Sequence, residues 1–239
     1  KAYAAAELLH TTGEQQYRID FRENSPWSRD PTADIAIYGK YDFTLAACSY
    51  ATVPKHLADA DIQKATIKAI CREADMYING SRKMAYKFIR HPYAPIGWGN
   101  GTYAQFLTIV RHAWAITREP EYYRWIVKSC DNTLGCNPLN LSWVVGLGTR
   151  TIRAPLHNSR YNPTGMVVDG QQAEGPHSKG KAYNYQETVY PPHSDKFAVM
   201  YAFVDSHFAI AMDEGMVNRQ AETMASFGIL LPDHVDAQK

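Results

Sequence analysis

The sequence contains no run of about 20 apolar residues, so nothing in it reads as a span across a bilayer. It has almost no charge imbalance either: 25 basic against 24 acidic residues leave a formal net charge of +1. No broad field then attracts nucleic acid or an anionic membrane surface, neither is expected as a partner, and a neutral partner is the easiest to accommodate. Cysteine is scarce. Cys48, Cys71, Cys130 and Cys136 form no C-x-x-C pair and no metal-ligand spacing. A chain of 239 residues can bury a core without a disulfide framework, so the four read as free thiols. No Asp/Asn/Gly loop of calcium-binding spacing occurs, and no metal ligand is assigned. A secretory leader is also missing. The chain begins KAYAAAELLHTTG, without Met and already helical in character, as an excised or processed part of a longer protein does.

What is present is a globular composition, 45% hydrophobic, rich in tyrosine that suits both core packing and flat surfaces for sugar rings. The strongest pattern is helical and repeated. Ala4, Ala5, Leu8 and Leu9 step into Thr12-Gly13-Glu14 and then Tyr17. Val110, Ala113, Trp114 and Ile116 step into Thr117-Arg118-Glu119-Pro120 and then Tyr122. Each reads as helix, tight turn, helix, with Pro120 where a first helical turn tolerates it and Thr117 or Glu119 as cap. Repeated hairpins of this kind build an α-solenoid or a closed α/α toroid. Further helices are predicted from Thr32 or Asp34 to about Ala51, from Asp59 to about Asn79-Gly80, after Gly99-Asn100-Gly101, and over the spacing Phe197, Tyr201, Val204, Phe208.

Two segments break the helical pattern. LGCNPLNLSWVVGLGTR, residues 134–150, is apolar yet interrupted by Gly135, Pro138, Gly146 and Gly148, so it reads as a helix end followed by a fixed, partly buried loop in which glycine supplies positive φ. Residues 153–193 are rich in Gly, Pro, Asn, His and Tyr and carry no period; a loop of that length in a compact domain tends to be functional. Near the end, Val217, Ala221, Met224, Gly228 and Leu231 space as the apolar face of a last helix from about Glu214 to Leu230, with Asp213 as its N-cap.

The 134–150 stretch resembles the LGRNPLG-x-S-[YF]-V-x-G-[FL]-G segment of family 9 glycoside hydrolases, through Leu134, Gly135, Asn137, Pro138, Leu139, Ser142, Val144, Gly146 and Gly148. Trp98-Gly99-Asn100 is similar to a W-G-S-N segment of that family, and Pro155, His157, Arg160, Asp205 and Glu214 follow in the family's order, with Asp205 and Glu214 nine apart. The resemblance implies an all-α, six-hairpin (α/α)6 toroid, the chain supplying roughly its C-terminal half, with a long irregular loop before the last two helices. It implies an inverting β-glycosidase acting on β-1,4-linked glucan or gluco- and glucosamine oligosaccharides. Glu214 is then the general acid, which needs a raised pKa; a helix N-terminus lowers it, while burial and repulsion from a charged Asp213 raise it. His157 binds sugar hydroxyls, assisted by Arg160, and Trp98, Tyr183 and Tyr185, with Tyr190, offer stacking faces. His177 and His193 read as solvated.

Three departures stand out: Asp213 where the family has Asn, two residues between His157 and Arg160, and no Asp-rich segment to activate water. The water-activating pair is expected in an N-terminal part of the same catalytic domain, which becomes a partner of this chain, and the chain alone is then inactive. The alternative is a non-catalytic carbohydrate-binding or scaffold half-barrel. No cofactor is expected; structural calcium is common in the family. The family implies a secreted or periplasmic location, while free thiols suit the cytoplasm equally.

Overall fold

The computed structural model describes residues 1–37, 41–93, 96, 104–157, 162–171 and 198–231. Eight helices carry the described chain: α1 (Ala2–Thr12), α2 (Gln15–Asn24), α3 (Thr44–Thr52), α4 (Ala60–Ser81), α5 (Ala104–Thr117), α6 (Pro120–Thr133), α7 (Ile210–Asp213) and α8 (Val217–Gly228). Two two-residue strands, β1 (Ala36–Ile37) and β2 (Tyr41–Asp42), pair antiparallel. By contact density the chain divides into two compact units, residues 1–79 with 109–124 and residues 80–108 with 125–239.

In the first unit the α1–α2 hairpin turns at Gly13, whose φ of 73° closes α1 and whose N–H returns to the Leu9 carbonyl. The α5–α6 turn uses Arg118 at φ 59°, the Thr117 hydroxyl receives the Glu119 N–H, and Pro120 opens α6, as its fixed φ suits. Phe21 of α2 stacks on Tyr50 of α3, whose residues Ala46 to Ala51 are all buried, centroids 3.7 Å apart, and the Gln63 amide closes the end of α3 by donating to the Tyr50, Ala51 and Val53 carbonyls.

The helix predicted from Thr32 or Asp34 begins only at Thr44. The carbonyls it needed are already taken: Trp27 Nε1 and Arg72 hold the Ala33 carbonyl, Arg72 also holds that of Thr32, and the Ile35 carbonyl receives the Phe43 N–H beside the β1–β2 pair. None of the four cysteines is joined in a disulfide.

The second unit is organised around Trp143, Val144, Val145, Ile152, Met166, Val167 and Val168, with Leu139, Leu141 and Phe203 packed against them. Part of residues 153–193, read as an irregular loop, is therefore core: Met166 to Gln171 are buried. Of the helix expected over 197–208, the described residues keep a single 3-10 turn at Val199–Tyr201, because the Val204 and Ser206 N–H groups bond the Met212 sulfur and the Asp213 carboxylate instead of helical carbonyls.

Candidate active site

The site is assembled from four segments joined by backbone hydrogen bonds. The first follows α6, where Gly135 at φ 118° leaves the helix and Asn137 fixes what comes next. The buried Asn137 amide donates to the Asn132 and Leu141 carbonyls, both at 2.8 Å, and its oxygen accepts the Leu139 and Leu141 N–H groups at 3.1 and 3.3 Å. Every hydrogen-bonding position of that side chain is used to shape one turn. Asn137→Leu keeps the branched shape of the side chain but strands four backbone groups, so it is expected to lower the stability of the protein by about 2–4 kcal/mol, read as a lower urea midpoint at unchanged slope. An unchanged midpoint removes the side chain from this role.

Residues 143–145 then pair with residues 165–168: the Val145 N–H reaches the Met166 carbonyl at 2.8 Å, the Gly165 N–H returns to the Val145 carbonyl, and Val144 bridges Val167. Gly146, at φ 76°, turns the chain where a Cβ would sit 3.0 Å from Thr164. On the outer side of Val167 the Gln220 amide of α8 takes both of its backbone groups, at 2.8 and 2.7 Å, as a neighbouring strand would.

The third segment is Met212–Glu214, the end of α7 and the residue that follows it, and its carbonyls serve two neighbours. Those of Met212 and Glu214 accept the Gly170 and Asp169 N–H groups, and that of Asp213 accepts the Leu156 N–H. The fourth segment is residues 153–157. It is fastened to residues 205–214 at four successive positions: the Asp205 carboxylate accepts the N–H groups of Arg153 and Ala154, His207 Nδ1 lies 2.7 Å from the Pro155 carbonyl, and Leu156 pairs in parallel with Glu214. His157, exposed at the end of this segment, is thereby held one residue beyond the partner of the half-buried Glu214.

This geometry corrects the expected setting of Glu214. The final helix starts at Val217, not at Glu214, and Glu214 instead follows α7 in extended conformation, φ −71° and ψ 136°. The Asp169 N–H on its carbonyl and the bridge to Leu156 hold Glu214 extended directly after the helix. A Cβ on Gly215 would lie 2.5 Å from the Met166 sulfur, so the next residue must be small. The N-terminal dipole of the last helix therefore does not act in its first turn on Glu214.

Asp213 is corrected as well. It is no N-cap but the last residue of α7, 0% exposed, with one carboxyl oxygen accepting the Ser206 N–H at 2.9 Å. Burial, and then the charge of Asp205, raise its pKa to about 8 against the opposing pull of the Ser206 bond. At neutral pH it is mostly protonated, so it does not supply the repulsion expected to raise Glu214.

The face of α8 read as apolar core is turned outward: Val217 is 85% and Met224 74% exposed, and Leu231 beyond the helix end 66%. Its buried residues are Arg219, Thr223 and Ser226. The reason is Asp169. Buried in the extended core segment, it needs a counter-charge, and Arg219 Nε lies 3.0 Å from its carboxylate. Burial lowers the pKa of Arg219 while Asp169 opposes this, and burial together with the Arg219 charge pushes Arg90 down to about 10. Sequence reading did not find this pair; an Asp directly after three apolar residues was its only signal.

Trp98, Arg160, Tyr183, Tyr185, Tyr190, His177 and His193 lie outside the described residues. Among the described residues no three His, Cys, Asp or Glu side chains gather to hold a metal ion, and no step below is routed through one. No described helix is long and apolar enough to cross a membrane.

Comparison with known proteins identifies the family and the fold. The family model described as glycosyl hydrolase family 9 matches residues 1–225. Among solved structures, the family 9 endoglucanase J30 is 20% identical with a TM-score of 0.78, over 97% of this chain and 42% of that one. A metagenome-derived family 9 endoglucanase is 22% identical with a TM-score of 0.70, over 96% and 40%. AaCel9A, solved in complex with cellobiose-like isofagomine, is 18% identical with a TM-score of 0.68, over 96% and 43%. No curated protein matches the chain. The fold is thus that of an (α/α)6 barrel over a partial region, as the family resemblance implied. The chain spans about two fifths of the length of the structures it matches.

Proposed function

The chain belongs to glycosyl hydrolase family 9, and from that premise we propose that it supplies the acid-bearing part of an inverting β-glycosidase acting on β-1,4-linked glucan or gluco- and glucosamine oligosaccharides. The observation that carries this is the pairing of Leu156 with Glu214, which seats an imidazole and a carboxyl group on adjacent, rigidly joined segments. In this reading Glu214 protonates the departing glycosidic oxygen, while a second carboxylate activates water on the opposite face of the ring, with room for that water between them. His157, and with it Arg160, bonds the hydroxyls of the attacked sugar, and Trp98, Tyr183 and Tyr185 give stacking faces. The neighbour that holds a cellobiose-like ligand supports a saccharide substrate.

The activating aspartates are assigned to the part of the family's domain that this chain does not match. Two observations favour that assignment: no Asp-rich segment occurs in the sequence, and α8 turns Val217 and Met224 outward as a face to be covered. The test is cellohexaose hydrolysis by the full polypeptide that carries these residues, followed by proton NMR. The α-anomer is expected to appear first. Initial release of the β-anomer overturns inversion, and sugar binding without any cleavage leaves the scaffold reading in its place.

A further inference from the structure

Beside the strap that holds residues 153–157 lies a pocket of about 430 Å³, within the size range of small-ligand sites. Leu139, Leu141 and Phe203 give its lining apolar surface, and the Phe203 ring is fixed edge-on against Trp143 with centroids 4.9 Å apart. Arg150, Arg153 and Asp205 line the same pocket. The Asp205 carboxylate is already committed to the Arg153 and Ala154 backbone N–H groups at 2.8–3.2 Å. Neither guanidinium has a hydrogen-bond or ion-pair partner among the described residues. The pocket therefore combines apolar lining with two guanidinium groups that no described residue engages, with a net charge of +1 from two arginines and one aspartate.

We propose that this pocket takes a sugar residue bearing a carboxylate, a uronate, with the C–H face of the ring on Phe203 and the leucines and the carboxylate between Arg150 and Arg153. A neutral hexose leaves both forks to water, whereas a carboxylate accepts the parallel N–H bonds that an arginine presents. Arg153 is three residues from Leu156, at most about 11 Å along the chain, and Glu214 lies one strand spacing of about 5 Å beyond Leu156, so the pocket and the proposed acid are within about 15 Å. A substituent carried near the cleaved bond is within that reach. The choice of a sugar as carrier rests on the glycosidase reading; the charge preference does not.

The experiment is calorimetric binding of cellobiouronic acid, cellobiose and glucose 6-phosphate to the protein and to the double variant Arg150→Gln/Arg153→Gln, both side chains being exposed and outside the core. The uronate is expected to bind at least about tenfold more tightly than cellobiose, and the double variant, with an unchanged circular-dichroism melt, to lose that preference. Equal affinity for both disaccharides, or a preference that survives the double substitution, overturns the pocket. A phosphate ester bound more tightly than the uronate overturns the choice of carboxylate. Binding needs no turnover, so charge-selective binding without hydrolysis removes only the hydrolase reading, and hydrolysis without charge selectivity removes only the pocket.

Discussion

Glu214→Gln in the full polypeptide is expected to lower kcat on cello-oligosaccharides about 10²–10⁴-fold, the span that a positioned general acid contributes. KM should change little, because the amide keeps the size of the side chain and its extended backbone is held by neighbours on both sides. The informative comparison is the leaving group. A cellobioside of an acidic phenol departs without a proton, so its hydrolysis by the variant should fall far less than that of cellohexaose. An equal loss on both substrates means that Glu214 acts elsewhere than on the leaving oxygen, and no loss on either removes it from the mechanism.

The second large effect concerns stability. Asp213 has a folded pKa of about 8 against an ordinary value of 3.8. The folded state therefore holds a proton that the unfolded state gives up, and the stability this lends is complete below about pH 4 and lost as pH rises through about 8. Asp213→Asn cannot titrate, and its amide oxygen still accepts the Ser206 N–H. The variant should melt close to the parent at pH 4 and progressively above it toward pH 8, where the gap is of order 5 kcal/mol, since each pKa unit carries about 1.4 kcal/mol. Melting curves at four or five pH values decide it. A gap that shrinks with rising pH means that the carboxyl is already ionised in the fold.

Much of the scaffold was legible because its signals are local. Gly13 and Pro120 mark turns through backbone geometry alone, and the glycines of residues 134–150 announced positive φ, which Gly135, Gly146 and Gly148 all adopt. The start of α3 was misread because what stops a helix before Thr44 is remote: Arg72, some 40 positions later, takes the Thr32 and Ala33 carbonyls. The same cause hid the surroundings of Glu214. Helical spacing and a capping residue favoured a helix from Glu214, but three carbonyls in a row are claimed by Gly170, Leu156 and Asp169, none of them near in sequence. Local pattern cannot show such a claim. The apolar spacing of α8 was real, yet it identified the outer face, because the buried carboxylate of Asp169 drew Arg219, and the polar side with it, inward. Of the residues chosen for sugar contact, only His157 falls among those described, and its proximity to Glu214 comes from chain pairing that spacing does not encode.

The Asp169–Arg219 pair also limits how this protein can diverge. Replacing either member alone leaves the other charged in a water-free interior, a step that costs about 3–5 kcal/mol, comparable to a large part of a typical domain's stability. A matched apolar pair of similar volume is nearly neutral by comparison. Descendants of this sequence should therefore carry both residues or neither, and lineages that exchanged them must have done so almost together or after gaining a reserve of stability elsewhere.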